Sequence, residues 1–333
     1  MNKPIFTLRL ALSIGAFGAI LLLTIVFGST QTPIPTAQNA SPLPSQTRRT
    51  GQLEIYLLDV KHGDAQLIVS PTGETILIDG GRAEFAEKTA NYIKSVLGQT
   101  TVDYFLATHY HTDHIGGVVP LFRDQGLKVR KAIYDRGGTR AEFTEETAYP
   151  KYYDYVTNPK NNLNRVRIRV GDTIDLGPQL NVRVLSVGDI DTRTALNIPV
   201  VGENDNSVVL WLTFGKFDYW TGGDLSGEAS IRYADIETAI IPLLPRQADA
   251  YKANHHCINY NNNLAFLTAL KPTVSLISGS NAVIGWKCVL RLEAQSEVYI
   301  TDRIPVHQAA GDIVLTSRDG NTFEVAGKTY QSK

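Results

Sequence analysis

The sequence predicts an α/β sandwich in which helices cover stacked sheets. Two observations predict it. Short segments of alternating or wholly apolar residues recur from residue 51 onward, and segments of helical period are interspersed among them. A third observation places the chemistry: three histidines and an aspartate fall within six residues, directly after a short apolar strand.

The elements follow in order from Gly51. Leu53, Ile55 and Leu57 alternate with Glu54 and Tyr56, the period of a strand. A second strand covers 66–70, and Pro71-Thr72-Gly73-Glu74 is a turn. A third strand at 75–78 completes a hairpin. Ala86, Ala90, Ile93 and Leu97 recur at helical spacing, and Gly98 is a stop signal. Residues 103–107 form a buried strand that runs into the histidines. Further strands are expected at 165–170, 181–187, 207–214, 217–221, 237–241, 273–278, 297–300, 312–316 and 322–326. Helices are expected near 112–123, 141–155 and 260–270. The polar segment 136–164 carries Tyr149, Tyr152, Tyr153 and Tyr155. It reads either as a surface excursion or as one wall of a cleft.

The first 50 residues have a different character. Lys3 and Arg9 precede an uncharged apolar run from Leu10 to Phe27. That run approaches the ~20 residues a membrane-crossing helix needs. The charge pattern favours a cytoplasmic N-terminus. Two readings of 1–28 stand, an uncleaved signal anchor and a cleaved signal peptide. Both put the rest of the chain outside the cytoplasm, membrane-anchored in the first case and secreted in the second. Residues 29–50, with Pro33, Pro35, Pro42 and Pro44 among Ser, Thr, Gln and Asn, read as a disordered linker. One domain, 51–333, remains.

Without Lys3 and Arg9 the chain keeps 30 basic and 33 acidic residues. The balance lacks the strong basicity of proteins that grip nucleic acid by bulk charge. Arg165, Arg167 and Arg169 share one face of a strand, either as phosphate contacts or as a solvated edge. Cys257 and Cys288 could pair in an oxidising compartment, or remain two buried thiols; spacing leaves both open.

Thr108-His109-Tyr110-His111-Thr112-Asp113-His114 is the strongest signal. Imidazole nitrogens and carboxylate oxygens are the donors that zinc and similar divalent ions prefer. His109 and His111 are two apart, so an extended loop points them the same way. Asp113 and His114 are adjacent and can face a second position within one turn. Such a loop could serve two metals.

The segment matches the H-x-H-x-D-H motif of the metallo-β-lactamase superfamily. Four further segments resemble one branch, the hydrolase domain of ComEC-type competence proteins. They are Leu58-Asp59-Val60-Lys61-His62-Gly63-Asp64-Ala65, Leu77-Ile78-Asp79-Gly80-Gly81, Asn204-Asp205-Asn206-Ser207 and Thr221-Gly222-Gly223-Asp224. Asn254-His255-His256-Cys257 resembles that branch's H-H-G-S. The resemblance covers roughly residues 52–303 and implies an αββα metallo-β-lactamase sandwich. It implies His109 and His111 as ligands of one metal, Asp113, His114 and His255 as ligands of a second, and Asp224 as the bridge. Asp79, Asp59, Asn206 and His256 would support the ligands from behind.

The chain also departs from the pattern. No histidine lies between 115 and 254, where many superfamily members have a further ligand. Gly285-Trp286-Lys287 stands where relatives often have Gly-His-Pro. Lys61 replaces a glycine, His62 a glutamine and Cys257 a glycine.

The function expected is hydrolysis by a metal-bound hydroxide, with Asp113 as a catalytic residue and zinc, one or two ions, or manganese as cofactor. The resemblance favours a phosphodiester, small or polymeric, with nucleic acid among the candidates. The alternatives are a lactonase, an esterase acting on envelope phosphocholine, and a metal-stabilised binding module without turnover.

Overall fold

A computed structural model of the chain describes residues 51–142, 148–188, 196–302, 304 and 310–333. The expected anchor and linker, 1–50, lie outside the described residues, as does the start of the helix expected at 141–155. No helix of the described residues is long and apolar enough to cross a membrane.

Period-two alternation builds two stacked sheets. The first has nine strands among the described residues, in the order Lys328–Gln331, Thr322–Val325, Ile313–Ser317, Leu53–Leu57, Gln66–Val69, Thr75–Ile78, Thr101–Leu106, Lys128–Asp135 and Arg165–Arg167. The second has seven, in the order Glu297–Ile300, Val274–Ile277, Ala250–Lys252, Phe217–Thr221, Val209–Phe214, Leu180–Ser186 and Thr173–Asp175.

The inward residues of both sheets form one apolar layer. Leu53, Ile55, Leu57, Ile68, Ile76 and Ile78 meet Val182, Leu210, Leu212, Phe217 and Tyr219. Outward residues meet helices. Leu67, Leu77 and Phe105 cluster with Ala90 and Ile93 of Ala86–Leu97, Leu121 of Val118–Arg123 and Tyr152 of Ala148–Val156. On the other side Trp211, Trp220 and Tyr251 cluster with Ile236, Phe266 and Val289. These belong to helices Ile236–Ile240, Leu264–Leu270 and Trp286–Glu293. The layers are therefore α, β, β, α.

Two local outcomes differ from the sequence reading, and a third meets one of its alternatives. The segment expected as a strand at 237–241 is a helix, because the side chain of Asp235 caps the Thr238 N–H and Ile236 and Ile240 face the core. The helix expected at 112–123 is two, Thr112–Ile115 and Val118–Arg123, separated at Gly116-Gly117. At Gly117 a Cβ would overlap the carbonyl oxygen of Gly80. The arginine strand is the edge of its sheet, and Arg165 is half-buried on Asp135, with Nε to Oδ2 at 2.7 Å.

Cys257 and Cys288 are bonded, with Cα atoms 5.6 Å apart across a separation of 31 residues. The bridge ties the loop after Ala250–Lys252 to the helix Trp286–Glu293. Closing a loop of that length should contribute about 4 kcal/mol. Cys288→Ala should therefore lower the unfolding free energy by an amount of that order, read from the fall in the urea midpoint. Wild type under reductant should fall to the variant's midpoint. An unchanged midpoint in both would contradict the bridge's role.

Candidate metal centre

Parallel pairing brings strand ends together. Ile78 pairs with Leu106 in one sheet, and Trp220 with Tyr251 and Lys252 with Leu276 in the other. The chain leaves these parallel strands at one edge of the sandwich. Asp79 and Thr108-His109 emerge there from the first sheet. Gly222-Gly223-Asp224, Asn254-His255-His256 and Ser278 emerge from the second. The two sets are stitched by Val208 N–H to the Thr108 carbonyl at 2.9 Å. Gly223 has φ 54°, and a Cβ there would lie 2.8 Å from Thr108, so this crossing needs glycine.

Asp224 lies between two groups of donors. Its Oδ1 is 3.2 Å from His114 Nε2 and 3.5 Å from His256 Nε2. His256 Nε2 is also 3.3 Å from Asp113 Oδ2. Asp224 Oδ2 is 3.8 Å from His109 Nε2, which is 3.0 Å from His111 Nδ1. Asp113, His114, Asp224 and His256 could share one ion, and His109, His111 and Asp224 another.

The donors fit divalent cations. His114 Nε2, His256 Nε2 and Asp224 Oδ1 are all buried without a hydrogen-bond partner, and they converge on one place. Such orphaned atoms are costly unless something charged satisfies them. Burial opposes charge on Asp224 and Asp113, yet the neighbouring imidazoles, His114 foremost, hold both carboxyls well below their ordinary range. His109 is pushed well below its ordinary value by burial and by His114, which keeps it a neutral donor.

Supporting contacts fix the ligand rings. Asp79 Oδ2 lies 2.8 Å from His114 Nδ1, leaving Nε2 for the centre. Ser278 O lies 3.0 Å from His256 Nδ1 in the same way. Asn206 donates to Glu203 at 3.0 Å, and Glu203 accepts from the Tyr110 N–H at 2.9 Å, which holds the loop between His109 and His111.

Two positions differ from the sequence reading. His256, expected behind the ligands, stands with Asp113, His114 and Asp224, where His255 was expected. His255 Nε2 is on the other oxygen of Asp224, at 3.4 Å, and its ring is held by Asn204 at 3.3 Å. Both residues have left-handed backbone, φ 48° and 50°, which turns the pair so that the second histidine enters the centre. Asp59 is remote from the centre. Its carboxylate takes Lys61 Nζ at 3.1 Å and Lys88 Nζ at 3.8 Å near the surface.

Asp64 occupies the place sought for Asp59. It is fully buried, accepts from Ser278 Oγ and pairs with the ammonium of the equally buried Lys252 at 2.5 Å. Its Oδ1 is 3.5 Å from His256 Nδ1. Lys252 was missed with the short buried strand Ala250–Lys252 that it ends. Arg136 was also missed; it is buried, pairs with Glu203 at 3.0 Å and stacks on Tyr110.

The sequence profile of the metallo-beta-lactamase superfamily matches residues 58–279. The chain belongs to that superfamily. A metal-dependent hydrolase of Cupriavidus necator is 30% identical over 122 residues, 36% of this chain. The chain spans 39% of that relative's length. Among solved structures, Zn(2+)-bound PqqB from Methylobacterium extorquens has a TM-score of 0.46 at 14% identity, over 77% of this chain and 87% of that one. A diphosphatase of the PhnP family has a TM-score of 0.45 at 16% identity, over 80% and 98%. Likeness at these scores carries no functional argument.

Gly63 lies against Asp113 with φ 146°, and a Cβ there would overlap the Asp113 carbonyl oxygen. Gly126 also has positive φ, but a Cβ there meets nothing within 4 Å. Gly126→Ala should cost about 1 kcal/mol, from backbone strain alone. Gly63→Ala should cost at least about 2 kcal/mol, because the ligand loop must shift as well. Urea denaturation of the two variants checks the difference, and equal losses would contradict the close approach.

Proposed function

We propose that the chain is a metal-dependent phosphodiesterase working outside the cytoplasm, anchored by residues 1–28 or released from them. The observation that carries the reading is the carboxylate of Asp224 between two donor groups, one on each oxygen. Zinc, or manganese, suits this nitrogen and oxygen set. A bound divalent ion supplies Lewis acidity and a nucleophile from water at neutral pH.

The chain's own residues do the rest. His109, His114 and His256 are fully buried and close the centre from behind, while Asp113 and His111 reach the opening. A substrate approaching from solvent meets Asp113, His111 and the partly exposed ring of His62 first. Asp113 would hold an ion there and orient the attack. His114 and His256 keep fixed rings because Asp79 and Ser278 O take their Nδ1 atoms.

The phosphodiester is preferred because the ordered motifs resemble the ComEC-type branch. Nucleic acid is one polymer of that class, bound through the site and not by bulk charge. Extracytoplasmic placement is supported by the basic, then apolar, start of the chain and by the Cys257–Cys288 bond.

The test compares wild type, Asp113→Ala and Lys61→Ala on bis-(p-nitrophenyl) phosphate and single-stranded DNA, with zinc or manganese supplied. Asp113→Ala should lose on the order of 10³-fold in rate with an unchanged circular dichroism spectrum. Among the described residues Lys61 makes exposed pairs with Asp59 and Asp302, so its variant should stay within about threefold. A wild type that cleaves no phosphodiester but opens lactones or releases phosphocholine would move the assignment to those esters. No turnover of any of them would favour a binding module. Retention of more than about a tenth of the activity in Asp113→Ala would contradict the metal mechanism.

A further inference from the structure

We propose that His62 is a positioning residue of the metal centre, an imidazole that donates from Nε2 to Asp113 and fixes that carboxylate for its ion. The proposal rests on the metal-centre reading.

The backbone first brings His62 to its place. The segment after Leu53–Leu57 turns through left-handed backbone at Lys61, φ 56°, and again at Gly63. Asp64 N–H then donates to the Asp113 carbonyl at 3.2 Å, and Gly63 has no Cβ to hold the strands apart. The two loops touch through their backbones, so the side chain of His62 lies across that of Asp113. His62 Nε2 is 2.9 Å from Asp113 Oδ2. The ring also stands edge-on to His256, with centroids 5.3 Å apart and planes at 87°. It therefore packs against two members of the candidate ligand set, while its side chain keeps 38% of its exposure at the mouth.

Its other face decides which nitrogen carries the proton. Arg82 Nη2 is 3.3 Å from His62 Nδ1, and Arg82 Nε is 3.3 Å from the His62 carbonyl oxygen. A guanidinium can only donate. His62 Nδ1 must then accept, which leaves the proton on Nε2, facing Asp113. The order of donation runs from Arg82 to His62 to Asp113. Among the described residues, Asp113 Oδ2 without His62 keeps His256 Nε2 at 3.3 Å and His114 Nε2 at 4.0 Å, which are candidate ligands themselves. No donor outside the ligand set, among the described residues, would then hold its orientation.

Glutamine offers the same pair of functions, an amide oxygen to accept from Arg82 and an amide nitrogen to donate to Asp113. Alanine offers neither. The full chain, stripped of metal, is titrated with cobalt(II) and followed by visible absorption, with a thermal melt of each metal-free protein. His62→Ala should bind cobalt about 10- to 100-fold more weakly than wild type, the usual effect of removing a group that orients a ligand. His62→Gln should recover affinity to within about threefold of wild type. His62→Asn, too short to span the gap, replaces the alanine variant if that protein fails to fold. An alanine variant within about threefold of wild type, or a glutamine variant as weak as alanine, overturns the role of His62. A wild type that takes up no cobalt overturns the metal centre itself, and this proposal with it.

Discussion

The carboxylate of Asp79 is the constraint on which the site depends. It is fully buried at the end of Thr75–Ile78, with φ 58°, beside the end of Thr101–Leu106. One oxygen accepts the Thr108 N–H at 2.8 Å; the other accepts the Thr108 hydroxyl at 2.7 Å and faces His114 Nδ1 at 2.8 Å. The chain is thus pinned where it leaves the first sheet and again one turn later, at the other end of the ligand motif. Everything between, His109 to Asp113, is a short span with both ends held. A buried acid is costly unless each lone pair is used. Here the cost is offset by contacts that also aim a ligand.

The second sheet meets this loop with a different device. His255, His256 and Cys257 are three successive left-handed residues without a glycine among them. Such a run is strained and persists only where its surroundings enforce it. The disulfide holds it on one side. Glu237 holds it on the other, accepting from Asn254 Nδ2 at 2.9 Å, Asn262 N at 2.8 Å and Asn263 N at 2.7 Å. Burial pushes the Glu237 carboxyl up to about 7. Cys257 is therefore part of the support of the candidate ligand loop, and the sandwich's apolar layers keep both halves of the centre in register.

Much of this was legible in the sequence, for physical reasons. The histidine cluster stood out because donors of one chemistry crowd one loop after an apolar strand. The run at 53–57 read correctly because Leu53, Ile55 and Leu57 alternate into the core, and the run at 75–78 because it is largely apolar and wholly buried. Lys128–Asp135 did not read as a strand, since Lys128, Arg130 and Lys131 break the alternation and only Ala132, Ile133 and Asp135 are buried. The choice between His255 and His256 depends on backbone rotation at two adjacent residues, which residue type does not encode. The choice between Asp59 and Asp64 depends on turns at Lys61 and Gly63 that reverse the segment, so the later aspartate, not the earlier, faces Lys252.

The central claim is that Asp224 and the donors on its two oxygens hold divalent metal. Elemental analysis of the chain purified without chelator tests it most directly. The result expected is about one to two equivalents of zinc or manganese per chain, falling in Asp224→Ala. Less than about 0.3 equivalents of any transition metal in the folded wild type, unchanged in Asp224→Ala, would contradict it.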